Sequence, residues 1–431
     1  MNKMEFANDL INFIDKTPSA FHAVHNVKTK LLEAGYIYIK DRDKWDIKKG
    51  GKYFTTKNDS AIIAFVVGEG EIEECGFKII SSHTDSPGFK IKPLPYINSN
   101  GYIKLNTEVY GGPIINTWLD RPLSIAGRVT IRTEDPLRPV SEIIDFENPI
   151  LIIPNVAIHL NRNVNSGIEL NKQVDTLPLL GMVNDNINEN NYILEEISKK
   201  LNINIEEILD FELYLYGTEK GSIIGINSEF ISAPRLDDLA MVHASLNSLI
   251  NSNKCSGTKV MVCFDNEEIG SSTKQGGDSQ ILSNTLERIL ISMGKNREEF
   301  LRSIANSFMI SADLAHAVHP NRPEKHDPVL HPVINKGPVI KIAASGSYTT
   351  DSFSSSVYES ICKKAGVSCQ KFCNRSDSRG GSTLGPISST HIEIDTVDMG
   401  SPVLSMHSIR ELAGVDDHEY TYRSFVEFYN L

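Results

Sequence analysis

The apolar run 259–264 stops on Asp265, Asn266, Glu267 and Glu268, three carboxylates within four residues at the end of what reads as a buried strand. Like charge gathered at a sheet tip is costly unless a cation stands beside it. The chain repeats this design. Four more short patches place an acid or a histidine where apolar sequence gives way to polar: 81–88 with His83 and Asp85, 234–238 with Asp237 and Asp238, 311–313 with Asp313, and 406–407 with His407. A fold for this chain has to account for ligand-type side chains at the ends of so many apolar runs.

Periodicity supplies the frame. Phe6, Leu10, Phe13 and Ile14 recur at helical spacing, and a second helix is expected over 19–32. The runs 61–67 and 77–82 read as buried strands. From about 93 to 230 the signals are mostly strand and turn: a hairpin turn at 98–101, strands at 125–132 and 150–153, a polar loop at 184–191, and one helix at 193–201. After 233 the two kinds of element alternate. Helices are expected at 239–249, 281–293 and 352–365, strands at 259–264, 308–311 and 339–343, and a further helix starting near Ile409. Such alternation predicts an α/β fold, a central sheet covered by helices on both faces. Because His83 precedes the β-rich stretch and its expected partners follow it, one discontinuous α/β domain is predicted from 1–92 and 231–431, with a β-rich domain inserted at 93–230.

Bulk properties narrow the class. At 431 residues the chain is long enough for two domains, and its formal charge of −12 disfavours nucleic acid and anionic membrane as partners. No apolar stretch approaches the ~20 residues of a membrane-spanning helix. Glu5, Asp9 and Asp15 interrupt the N-terminal pattern, so no export signal is read there and a cytoplasmic location is expected. The six cysteines are read as reduced thiols, Cys369 and Cys373 having helical spacing.

Each patch has a plain reading beside its functional one. His83 could sit in a turn capped by Asp85, or leave its strand as a neutral metal ligand. Asp237 and Asp238 could cap the following helix, or one could bridge two metals ~3.5–4 Å apart. Glu267 and Glu268 could belong to a solvated loop. Alternatively, since adjacent side chains diverge, one could ligate metal while the other faces an attacking water. His316 and His319, beyond Asp313, could share a helical face. The motifs of zincins, serine hydrolases, P-loop enzymes and nucleotide-dependent dehydrogenases are missing. The joint occurrence of the patches points to a metal-assisted hydrolase.

In family order, the patches resemble the aspartyl aminopeptidase family of dinuclear zinc exopeptidases. The likeness runs over nearly the whole chain. It takes in 17–24, 110–113, 118–121, 157–160, 234–237, 265–270, 311–321, 337–341, 400–402 and 406–411. The resemblance implies that His83 and Asp313 hold one zinc and Glu268 and His407 the other, with Asp237 bridging. It implies Glu267 as general base, with Asp85 supporting the site. The mix of histidine and carboxylate ligands fits zinc, and cobalt or manganese could occupy the same site. His159 would complete the site of a neighbouring subunit, in dimers that build a dodecamer. The substrates would be peptides, and Lys341 with His316 would receive an acidic N-terminal side chain. The stretch 324–336 departs from the acid-preferring pattern.

Overall fold

The structure is a computed structural model that describes residues 2–183, 191–378 and 380–431. The chain divides into two compact units, one of Met1–Asp85, Gly221–Met406 and Glu411–Leu431, the other of Ser86–Lys220 and His407–Arg410. The strand Gly88–Ser99 runs across the boundary at 93 read from sequence texture, and the strand Phe230–Ala233 begins at the boundary at 230.

The first unit is built on a nine-stranded mixed sheet. At its centre four strands run parallel, in the spatial order Thr258–Phe264, Phe77–His83, Phe308–Ala312 and Asp395–Gly400. Successive strand residues face opposite sides, and the two cores divide accordingly. Ile62, Ala64, Ile80, Met261 and Cys263 enter one core with residues of the helices Lys3–Asp15, Ala20–Glu33, Leu236–Asn251, Ser352–Ala365 and Val415–Asn430. Ile63, Phe65, Ile79, Val260 and Val262 enter the other with residues of Ile281–Ser292, Arg297–Ala305 and Leu384–Ile392. Helices therefore cover both faces, as the alternation requires. The helix Ile281–Ser292 alone buries Leu282, Leu286, Ile289 and Leu290. Each such side chain contributes about 1.5–3 kcal/mol of transfer free energy.

The second unit holds a six-stranded antiparallel sheet in the order Val140–Asp145, Leu123–Ile131, Ile208–Gly217, Gly88–Ser99, Tyr102–Tyr110 and Leu179–Met182. Ile193 and Ile197 of the helix Tyr192–Leu201 pack into its core with Phe89, Trp118 and Leu213. Among the described residues no helix is long and apolar enough to cross a membrane.

Several local expectations need correction. The helix expected near Ile409 is the strand Glu411–Gly414, and the helix begins only at Val415. Burial alternates from Ile409 through Arg410, Glu411 and Leu412 to Ala413, a period of two that fits a strand. His316 closes the two-residue strand Ala315–His316, so His316 and His319 share no helical face. The run 150–153 makes only isolated bridges. Cys369 and Cys373 flank the strand Gln370–Phe372 rather than lying on a helix, and all six cysteines are free. Of the polar loop expected at 184–191, residues 184–190 lie outside the described residues.

One polar chain crosses the helical layer. His243 Nε2 lies 2.8 Å from Asp9 Oδ2, and His243 Nδ1 lies 2.9 Å from His418 Nε2. Burial pushes the pKa of both histidines below the ordinary value, while the His243 hydrogen bond holds Asp9 below the usual carboxylate range. All three shifts have the same sign. The folded chain binds fewer protons than the unfolded one, so stability falls as pH drops below ~6.5 for the histidines and ~3.9 for Asp9. We predict that the stability of His418→Gln, followed by denaturant unfolding between pH 7.5 and 5, falls more shallowly than that of the native chain, by up to ~1.4 kcal/mol per pH unit. Equal slopes would remove the pair from the account.

Candidate active site

The four parallel strands bring their C-terminal ends to one edge, where open α/β sheets place their ligands. His83 is the last residue of its strand, and Asp313 and Asp265 each directly follow theirs. Asp237 and Asp238 come from the first turn of Leu236–Asn251, where the backbone is not yet helical and the peptide between them is cis.

His83 is 1% exposed. Its Nδ1 lies 3.1 Å from Asp85 O and 3.4 Å from Asp85 Oδ1. Two oxygen acceptors at Nδ1 favour the tautomer with its proton there, which leaves the Nε2 lone pair facing Asp237 Oδ1 at 3.5 Å. Asp85 performs a second task. Its Oδ1 accepts the Glu267 amide at 3.1 Å and its Oδ2 the Glu268 amide at 3.2 Å. One carboxylate thus fixes the histidine and the backbone of both glutamates, which sit in the short 3-10 turn Glu267–Ile269.

Asp238 does not serve as the helix cap that the sequence allowed. Its Oδ2 accepts the His83 amide at 3.1 Å, and its Oδ1 is buried with no hydrogen-bond partner among the described residues. The Asp237 amide donates to Glu411 Oε2 at 3.0 Å, and Asp313 is anchored by its amide on Met399 O at 2.9 Å.

One ligand atom from each of His83, Asp237, Asp238 and Asp313 lies within 4.8 Å of the others, and the same holds for His83, Glu267 and Glu268. The electrostatics are those of crowded anions. Burial, with the neighbouring carboxylates adding to it, raises the pKa of Asp238 and Asp313 and pushes Glu267 up to about 7. At His83 burial works against the charge, but the nearby carboxylates of Asp238, Asp237 and Asp85 outweigh it and raise its pKa. Carboxylates and one imidazole in this closeness, with a buried carboxylate oxygen left unsatisfied, fit a divalent cation such as zinc.

The remaining residues read from sequence are placed as follows. Lys341 is 2% exposed at the end of the strand Val339–Lys341. Its Nζ donates to Leu314 O at 3.2 Å, lies 3.5 Å from Asp313 Oδ2, and stands 5.4 Å over the Tyr348 ring. His316 is exposed, its ring 6.0 Å from that of Phe372. His159 is exposed on a turn of the inserted unit. His407 lies in the turn before Glu411–Gly414 at φ 67, and its Nδ1 is 3.0 Å from Gly112 O. Sequence reasoning missed Glu411, and of the tasks it left open for Asp238 the helix cap is not the one the structure shows. Glu411 carried a faint signal, an acid at the buried phase of an alternating run.

Comparison with known proteins agrees with this chemistry. The family model described as aminopeptidase I zinc metalloprotease (M18) matches residues 13–429. A probable M18 family aminopeptidase 2 of Clostridium novyi (strain NT) is 61% identical over 431 residues, all of both chains. Among solved structures, a chain of the Ape4 and Nbr1 complex superposes with a TM-score of 0.94 at 37% identity, over 99% of this chain and 86% of that one. A chain of the S. cerevisiae mApe1 dodecamer does so with a TM-score of 0.86 at 27% identity, over 100% and 97%. With a family model spanning nearly its full length and so similar a full-length relative, the chain belongs to the M18 family of zinc metalloprotease aminopeptidases.

Proposed function

We propose that the enzyme releases single N-terminal residues from peptides with a dinuclear zinc centre and a glutamate general base. The observation that carries this reading is the Asp85 carboxylate, which sets Glu267 and Glu268 side by side against His83. His83 and Asp313 would hold one zinc, Glu268 and His407 the other, and Asp237 would bridge them, with cobalt or manganese as substitutes. Bound zinc would lower the proton affinity of water and polarise the scissile carbonyl. Glu267 takes a proton from the attacking water and hands it to the leaving amine; a carboxyl whose proton affinity is raised by burial is suited to both transfers. Asp85 keeps Glu267 aimed. His159, exposed on the inserted unit, steadies the developing oxyanion in a neighbouring subunit. That unit, 93–230 in the sequence reading, serves dimerisation. The enzyme assembles as dimers that build a dodecamer; the dodecamer of the mApe1 neighbour supports a homo-oligomer. The setting is the cytoplasm.

The N-terminal side chain received is acidic, with Lys341 and His316 as its partners. A second reading, neutral or broad preference, is favoured by one observation: Lys341 already faces Asp313 and Leu314 O. A panel of aminoacyl p-nitroanilides separates the two. Acidic preference predicts release of Asp or Glu at least ~10-fold faster than Leu; the reverse order selects the second reading.

Two further outcomes test the chemistry. Glu267→Gln should keep its zinc by elemental analysis and lose about 10²–10⁴-fold in kcat; near-native turnover would remove Glu267 from its role. The native chain should bind about two zinc ions, and His407→Ala about one, with a native circular dichroism spectrum. Unchanged zinc content in that variant would rule out His407 as a ligand.

A further inference from the structure

Beyond Lys341 the chain enters the wall of a cavity of about 890 Å³. Ala343, Ser345 and Ser347 line one side, and Asn374, Gly381 and Ser382 line another. Its arginine, Arg375, is already committed: two nitrogens meet Asp377 at 2.8 Å each and a third donates to Glu324 O at 2.6 Å. Asp327 is likewise turned onto its own loop, accepting the amides of Val329 and Leu330. The lining therefore offers neutral groups, the paired Ser345 and Ser347 hydroxyls and the Asn374 amide beside the apolar Ile342, Ala343 and Ala344, a mixed surface that suits peptide backbone rather than a charged side chain.

One carboxylate holds both walls, which also meet directly where Ser382 Oγ donates to Ser347 O at 3.3 Å. Asp398 is wholly buried in the strand Asp395–Gly400, in register with Ser311. Its Oδ2 accepts the Thr349 amide at 2.6 Å, its Oδ1 accepts the Thr383 hydroxyl at 2.7 Å, and its own amide donates to Thr350 Oγ1 at 2.8 Å. Thr349 and Thr350 closely follow Ser347; Thr383 directly follows Ser382. Thr383 is also the N-cap of the helix Leu384–Ile392, where a threonine hydroxyl ordinarily accepts a helix amide. Here it makes no such bond and donates to Asp398 instead. At Gly385 a Cβ would stand 2.5 Å from both Asp398 oxygens, so the backbone has closed onto the carboxylate.

We propose that Asp398 is a positioning residue that clamps the two walls of this cavity together, and that the cavity takes the backbone of the peptide substrate. The substrate half of this inference rests on the aminopeptidase reading above; the clamp itself does not. The test uses the full zinc-loaded chain. Thr383→Val removes one arm of the clamp at nearly constant volume. It should raise KM for tri- to pentapeptides about tenfold while kcat stays within about twofold and zinc content is unchanged. Thr383→Ser should restore KM. Asp398→Asn can still accept from Thr349 and donate to Thr383, so it should keep KM within about twofold. Hydrogen exchange followed by mass spectrometry should quicken in 345–350 and 380–383 together in Thr383→Val. Should that variant fail to fold, Gly385→Ala, which presses on the carboxylate from the other side, should give the same joint quickening. A native KM in Thr383→Val, a KM in Asp398→Asn raised as far as in Thr383→Val, or exchange that quickens on one wall alone would overturn the clamp. A native chain that releases no N-terminal residue would sink the aminopeptidase reading instead and leave the exchange result to decide the clamp.

Discussion

Carboxylates set within a few ångströms of one another at a buried sheet edge cannot all stay ionised without a compensating positive charge. Asp237, Asp238, Asp313, Glu267 and Glu268 converge around His83, and burial drives several of them toward their protonated forms. Lys341 meets only part of this demand, through Asp313. A cation resolves the conflict, and the cost of holding the anions together without one is what makes the site a strong ligand for it.

The fold tolerates the conflict because the site is held from outside. Four parallel strands fix the edge, with alternate side chains locked in two separate cores. Polar groups then tie each acid to a neighbouring backbone: Asp85 to the amides of Glu267 and Glu268, Asp238 to that of His83, and Glu411 to that of Asp237. These bonds aim the side chains before any ligand arrives, which is the preorganisation that metal-assisted hydrolysis needs. Asp398 continues the same device one strand further along the sheet.

Much of this was legible in the sequence. The alternation after residue 233 announced a sheet covered on both faces, and the strands that ended on an acid or a histidine marked the edge where these side chains converge. What stayed hidden depended on contacts distant in sequence. Asp238 read as a helix cap because nothing local shows that its oxygen reaches the His83 amide, 155 residues away. Glu411 lay in a short run taken for a helix start, and only pairing with the strands Phe230–Ala233 and Pro402–Leu404 makes that run extended. Thr383 carries no signal of its own in the sequence; its diversion from helix cap to Asp398 depends on the neighbouring strand.

Anomalous diffraction from crystals of the zinc-loaded protein, recorded on either side of the zinc absorption edge, tests the central claim most directly. The account predicts two peaks a few ångströms apart, one within ligand distance of His83 and Asp313, the other of Glu268, with Asp237 reaching both. Full loading with no peak among these carboxylates, or with peaks elsewhere in the molecule, would contradict it.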